Sequence, residues 1–287
     1  MTHRYHVLGP TQVLRPDGTE ARLGGARLRA LLTALAAGGG RAVSPAELSA
    51  QLWEDDEQRP ADAPAALQAL VGRLRRTLGA PSVDLLPGGY RLAAVRDDID
   101  LFRFERLAAQ GAAALDAGHA EEAAAVLDEA LALWRGPALA DLPGRESDPL
   151  AVRAERRRTE ARRARIAADI ALGRAAAVLP ELAPLAAESP LDEPLQALHI
   201  RALAATGRTA QALQEYEGVR VRIAKQLGAD PGPELRTLHS RLLSGDARPS
   251  PPAARPAGEI SPPGSPPSWA ARTNSPNWPG RWRPGDW

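Results

Sequence analysis

Ser44-Pro45-Ala46-Glu47-Leu48-Ser49-Ala50-Gln51-Leu52-Trp53 leads into the acidic run Glu54-Asp55-Asp56-Glu57. After a Pro/Ala-rich turn comes Ala65-Ala66-Leu67-Gln68-Ala69-Leu70-Val71-Gly72-Arg73-Leu74-Arg75-Arg76-Thr77-Leu78-Gly79. Ser44 is a natural N-cap, Pro45 suits the first helical position, and Glu47 completes a capping box three residues on. In the second piece Leu67, Val71, Leu74 and Leu78 fall on one helical stripe, with Leu70 at its margin. Ala65, Ala69, Gly72 and Arg76 lie roughly opposite, and Gln68, Arg73 and Arg75 on the flanks. A short helix, a charged loop and a longer helix with an arginine-loaded end suit a helix laid against DNA and braced by a smaller one.

Working outward, Tyr5-His6-Val7-Leu8-Gly9-Pro10 and Gln12-Val13-Leu14 read as strands ahead of an Asp17-Gly18 turn signal, with Ala21-Arg22-Leu23 returning. Leu28, Leu31, Leu32 and Leu35 recur at helical spacing over 26–37, and Gly38-Gly39-Gly40 stops that helix. After Gly79, Val83 to Leu86, the glycine-rich Pro87-Gly88-Gly89 and Tyr90 to Val95 predict a hairpin. Strands, three helices and a terminal hairpin make a winged helix-turn-helix over residues 1–96. Residues 97–245 read as paired antiparallel helices over 104–117, 121–134, 150–172, 174–187, 194–206 and 209–226. Two glycine breaks, Ala117-Gly118-His119 and Ala205-Thr206-Gly207-Arg208, lead into small residues in the manner of tetratricopeptide (TPR) units. From residue 246 to 287 the chain is rich in Pro, Ser and Gly and carries Trp269, Trp278, Trp282 and Trp287; it lacks the means to build a core and is expected to be disordered.

Composition narrows the function. At 287 residues there is room for two domains, and 4% aromatic content with abundant Ala, Leu and Arg favours a mainly α protein. The formal net charge of +1 neither indicates nor excludes nucleic acid, because a basic face can be balanced elsewhere. No cysteine is present, so disulfides, thiol catalysis and thiolate metal sites are excluded. No apolar run approaches the roughly 20 residues that span a bilayer, and Met1 to Leu8 has no signal-peptide character, so a cytoplasmic, nucleoid-associated location is expected. Lys225 is the single lysine, which points to a GC-rich genome. His3, His6, His119, His199 and His239 are scattered, and there is no HExxH, GxSxG or P-loop, so neither an enzyme nor a cofactor is expected.

Residues 4–245 resemble the Streptomyces antibiotic regulatory protein (SARP) family. The resemblance rests on Val7-Leu8-Gly9-Pro10, Leu23-Gly24-Gly25, Arg27-Leu28-Arg29-Ala30-Leu31-Leu32, Leu52-Trp53, Arg73-Leu74-Arg75-Arg76 and Pro87-Gly88-Gly89-Tyr90-Arg91-Leu92. It continues through Asp100-Leu101-Phe102-Arg103-Phe104, Ala130-Leu131-Ala132-Leu133-Trp134-Arg135-Gly136 and Leu227-Gly228-Ala229-Asp230-Pro231-Gly232-Pro233-Glu234-Leu235. It implies a response-regulator-type winged helix joined to a helical bacterial transcriptional activation domain. It also implies an activator of a secondary-metabolite cluster, bound as several protomers to direct repeats in double-stranded DNA and recruiting RNA polymerase holoenzyme. Larger members add an ATPase module; here the Pro/Trp-rich stretch follows, and ATP dependence is not expected.

The candidate DNA-binding residues are Arg27, Arg29, Gln68, Arg73, Arg75, Arg76, Tyr90 and Arg91. Arg73, Arg75 and Arg76 can neutralise phosphates or fork onto guanine; equally, arginines suit the C-terminal end of a helix dipole. Arg27 and Arg29 read as phosphate contacts. By resemblance Arg91, with Tyr90 beside it, approaches the minor groove, and Glu54, Asp55, Asp56 and Glu57 form the polymerase contact; a solvated strand residue and a solvated acidic loop are the plainer readings. Relatives commonly carry asparagine at the position of Ala65, tyrosine or histidine at Leu70 and serine at Gly72, which leaves Gln68 as the uncharged base reader. Thr159 and Arg162 stand where relatives often have leucine, within an arginine-rich run, Arg153 to Arg165, that reads as a second nucleic-acid surface, a partner surface or a solvated helix face. Tail pairs such as Trp278/Arg281 suit a cation–π docking motif or a passive tail. The alternative function is a TPR-like adaptor whose winged helix no longer reads DNA.

Overall fold

A computed structural model describes residues 3–53 and 59–245, so the acidic run Glu54 to Glu57 and the stretch from residue 246 lie outside the described residues. The fold is mainly helical, with two short hairpins. Strands β1 (Arg4–His6) and β2 (Gln12–Leu14) pair antiparallel with Tyr5 opposite Val13. Three helices follow: α1 (Ala26–Ala37), α2 (Pro45–Leu52) and α3 (Ala63–Leu78). The second hairpin, β3 (Val83–Leu86) and β4 (Gly89–Leu92), pairs Asp84 with Arg91 and Leu85 with Tyr90. Ala21 to Leu23 forms no strand; only the Ala21 N–H reaches the Val13 carbonyl, at 2.8 Å.

Local chemistry accounts for these starts and stops. Ser44 accepts from the Glu47 N–H at 3.2 Å while the Glu47 carboxylate accepts from the Ser44 N–H at 2.9 Å, the reciprocal capping box that begins α2. The terminal hairpin is held against the α1–α2 connection by two backbone bonds between Val43 and Tyr90, at 2.8 and 3.0 Å. Gly89 is required there: its φ is +129°, and a Cβ would overlap the Val43 carbonyl.

The remaining helices are α4 (Asp100–Asp116), α5 (Ala120–Ala132), α6 (Pro149–Ala171), α7 (Ala175–Glu188), α8 (Glu193–Ala205), α9 (Thr209–Leu227) and α10 (Pro233–Leu243). Each packs mainly on its sequence neighbours, and α10 also on α8. Helix α10 has no counterpart in the sequence reading, although Pro233 at its start and Leu235, Leu238 and Leu242 on its buried stripe are ordinary helix signals.

The hydrophobic core does not divide at residue 97. One continuous cluster runs from Tyr5 through Leu31, Leu52 and Leu74 to Phe104, Leu127 and Ala161; a second takes in Ile166 to Leu242. The seam between the N-terminal helices and α4–α6 is tied by the segment after β1. Asp100, buried at the start of α4, accepts from the Val7 N–H at 2.7 Å and the Leu8 N–H at 3.1 Å. Leu8 and Val7 in turn accept at their carbonyls from the Arg135 and Leu139 N–H groups, both at 2.8 Å. Gly9 (φ +135°) lies so close to Gly136 that a Cβ would sit 2.9 Å from the Gly136 nitrogen.

Burial pushes the Asp100 carboxyl up to about 6, against the opposing pull of the Val7 and Leu8 N–H groups and Arg135. Burial, with help from Arg135, Arg4 and Arg103, holds His6 below its ordinary value, so its 3.7 Å approach to Asp100 is that of a neutral imidazole at pH 7. Because the Asp100 value is raised on folding from an ordinary 3.8, its contribution is fully present below about pH 4. It falls away as pH rises through 6, by up to about 3 kcal/mol. Urea unfolding of Asp100→Asn beside the wild type should therefore show a destabilisation that is largest near pH 4 and shrinks towards pH 7. A gap that stays constant or widens over that range contradicts this role.

Candidate nucleic-acid interface

Helix α3 carries most of the candidate residues. Asp62 caps it by accepting from the Ala65 N–H at 2.9 Å, and Pro64 occupies the first turn. Leu67, Val71, Leu74 and Leu78 are buried against α1 and α2, which fixes the rotation of the helix. Ala65, Gln68, Ala69, Arg73 and Arg76 are exposed on the other side. Gly72 is half-exposed with open space where a side chain would stand. The outward face is thus smooth at its centre and basic towards its C-terminal end.

The three arginines of that end do different things. The Arg75 guanidinium donates twice to the Val83 carbonyl, from Nε at 2.9 Å and Nη2 at 2.7 Å, which pins α3 to β3. Arg73 reaches the Gly24 carbonyl only at 3.5 Å, and Arg76 the Gly72 carbonyl at 3.4 Å, both at the surface. Arg73 and Arg76 are therefore available to an external anion, whereas Arg75 is engaged inside the fold.

The remaining candidates are also sorted by position. Arg27 donates to the Leu52 carbonyl and so joins α1 to the end of α2. Arg29 Nε bonds Asp141 at 2.7 Å, and Asp141 also accepts from the Thr11 N–H at 2.7 Å. Burial would raise the Asp141 carboxyl, but these donors outweigh it and hold it below the ordinary range. Tyr90 is buried at 8% exposure, and its ring belongs to the core. Arg91 forks onto Asp84 across the hairpin, at 2.6 and 3.2 Å, and stays partly exposed. Leu85, on the same hairpin, is 67% exposed.

The arginine run on α6 is largely absorbed by the helices around it. Arg162 and Arg165 bond Glu181 on α7, Arg163 bonds Asp192, and Arg153 meets Glu105 on α4 at 3.0 Å. Arg158 lies over the Trp134 ring, 4.5 Å from its centroid, and that ring meets Phe104 edge-on. Thr159 is exposed and Arg162 half-exposed, so neither takes a leucine's place in the core.

Comparison with known proteins fits this architecture. The bacterial transcriptional activator domain model matches residues 99–243. Regulatory protein DnrI of Streptomyces peucetius is 35% identical over 253 residues, which cover 84% of this chain and 92% of DnrI. The chain belongs to the SARP family of transcriptional regulators. Other relatives of this SARP chain are regulatory protein AfsR of Streptomyces griseus, 37% identical over 90% of the chain and 26% of AfsR, and the solved structure of Mycobacterium tuberculosis EmbR in complex with a low-affinity phosphopeptide. The EmbR structure superposes with a TM-score of 0.76 at 36% identity, covering 85% of this chain and 65% of that one. The SARP chain therefore spans about a quarter of AfsR and just under two thirds of EmbR. These relatives are named as regulators, not as enzymes. Among the described residues no helix is long and apolar enough to cross a membrane.

The division of labour among the arginines is measurable. Arg75→Ala removes two bonds to a partly buried carbonyl and should lower unfolding stability by about 1–3 kcal/mol. Arg76→Ala, at the surface, should stay within about 0.5 kcal/mol of the wild type in the same denaturant titration. Equal effects would mean that Arg75 is not the tie between α3 and β3.

Proposed function

We propose that this chain is a DNA-binding transcriptional activator built as a winged helix-turn-helix followed by a TPR-like activation domain. Helix α3 enters the major groove, with Gln68 reading a base edge and Arg73 and Arg76 gripping phosphates. The β3–β4 wing lies at the minor groove, where Arg91 exchanges part of its bond to Asp84 for the backbone. Several protomers bind direct repeats upstream of a secondary-metabolite cluster, and Glu54 to Glu57, together with the helical domain, recruit RNA polymerase. The observation that carries this reading is the outward face of α3. A helix locked in rotation by four buried apolar residues presents a smooth surface ending in two available guanidiniums. Membership of a family of regulators supports it.

The same face favours weak base reading. A good bidentate contact discriminates by about 1–3 kcal/mol, and Ala65, Ala69 and Gly72 offer none. Affinity then comes from phosphates, DNA shape and multiple protomers. A mobility-shift titration on the upstream DNA of the neighbouring genes, from roughly 50 to 200 mM salt, tests this. Retention should fall steeply with salt, Arg76→Ala should reduce the logarithmic salt slope by about 1, and Arg76→Ala should weaken all sequences alike. Sharp losses at many single-base operator changes would contradict the shape-reading model. No sequence-dependent retention at any salt would leave the adaptor reading, in which the helical pairs carry the function.

A further inference from the structure

Away from the outward face of α3, a cleft of about 420 Å³ opens between the α1–α2 connection and the start of α6. It is lined by Ala37, Gly38, Arg41, Arg96, Phe102, Pro149, Leu150 and Arg153. Its volume falls in the range of small-molecule sites, about 300–1,000 Å³. The charges that line it are one-sided. Arg41 comes from the connection after α1, Arg96 from the single helical turn that precedes α4, and Arg153 from α6. Near them, Glu105 bonds Arg153 at 3.0 Å and lies 3.9 Å from Arg96, and Glu47 is within electrostatic reach of Arg41. Asp148, at the cap of α6, accepts from the Leu150 and Ala151 N–H groups with one oxygen, Oδ1, at 2.8 and 3.0 Å.

Three guanidiniums and no carboxylate line the cleft directly, so its wall is basic although Glu105 is shared by Arg96 and Arg153. Arg96 is already oriented, its guanidinium stacked 4.1 Å from the centroid of the Phe102 ring, which is itself 7% exposed. A stacked guanidinium keeps its donor edge free and surrenders little freedom when it binds. Among anions, a phosphate monoester carries about −1.5 to −2 charge at pH 7 and three strong acceptor oxygens, which a monocarboxylate does not match. A bare phosphate would leave most of the cavity empty. The geometry points to a binding site for a small phosphorylated metabolite, a sugar phosphate or a nucleoside monophosphate, its phosphate held by Arg41, Arg96 and Arg153. The start of α6, through Pro149, Leu150 and Arg153, walls the cleft on one side. The site is independent of how α3 treats DNA.

Calorimetric titration of the full chain with glucose 6-phosphate and with adenosine 5′-monophosphate tests this, with glucose and adenosine as controls. Saturable binding of either phosphorylated probe, with Kd of about 1 mM or tighter, and none of its unphosphorylated control is expected. Arg41→Gln changes an exposed side chain with no ion-pair partner among the described residues, so folding should be untouched. It and Arg153→Gln should each weaken binding about tenfold, with unchanged circular dichroism. Failure of both phosphorylated probes to bind overturns the proposal, as does undiminished binding in Arg41→Gln. Loss of binding in Arg76→Ala instead would place the phosphate on α3, and displacement of the probe by duplex DNA would assign the cleft to nucleic acid; either result also overturns it.

Discussion

Two backbone N–H groups, those of Val7 and Leu8, end on one buried carboxylate, Asp100, and much of the molecule's organisation follows from that contact. A buried donor left unpaired costs about 1–3 kcal/mol. The segment after β1 is therefore held at the start of α4 while its carbonyls take the Arg135 and Leu139 N–H groups. Leu139 sits at φ +52°, a left-handed conformation that costs a leucine about 1–2 kcal/mol. Its full burial and its bond to Val7 keep it there. Asp141, bonded to Thr11 and Arg29, fastens the same loop to β2 and α1 from the other side. The helix that faces outward and the helices behind it thereby share one core, in place of two cores joined by a linker.

Local signals carried far in this sequence. The capping box at Ser44 and Glu47, the stripe from Leu67 to Leu78 and the turn glycine at Gly89 each act within a few residues, so α2, α3 and the second hairpin were readable directly. What escaped depends on distance along the chain. Asp100 stands four residues ahead of the helix expected from residue 104, and the N–H groups it accepts from lie more than ninety positions away. Arg73, Arg75 and Arg76 look alike in sequence; the fold separates them because only Arg75 turns back onto the Val83 carbonyl. Tyr90 and Arg29, both DNA-contact candidates, also make long-range contacts: Tyr90 is buried in the core and Arg29 bonds Asp141. The signals of the short α10 are local as well: Pro233 at its first turn and Leu235, Leu238 and Leu242 on its buried stripe.

The fate of the arginines links composition to function. With formal net charge +1 the basic residues are matched in number by acidic ones, and on α6 that matching is local: Arg162 and Arg165 bond Glu181, and Arg163 bonds Asp192. Arg73 and Arg76 at the end of α3 are exposed with only long contacts to backbone carbonyls, and three more arginines line the cleft beside α6. The outward face of α3 is smooth at its centre and basic at its end. The seam at Asp100 couples that helix to the helical domain behind it through one core.

The shared core is the premise of this picture, and native-state hydrogen exchange in low urea tests it most directly. Amides of α1 and α3 should exchange through the same opening, with the same free energy and urea dependence, as those of α4 and α5. If α1 and α3 open together at markedly lower free energy while α4 and α5 remain protected, the two parts are separate bodies and the seam at Asp100 does not unite them.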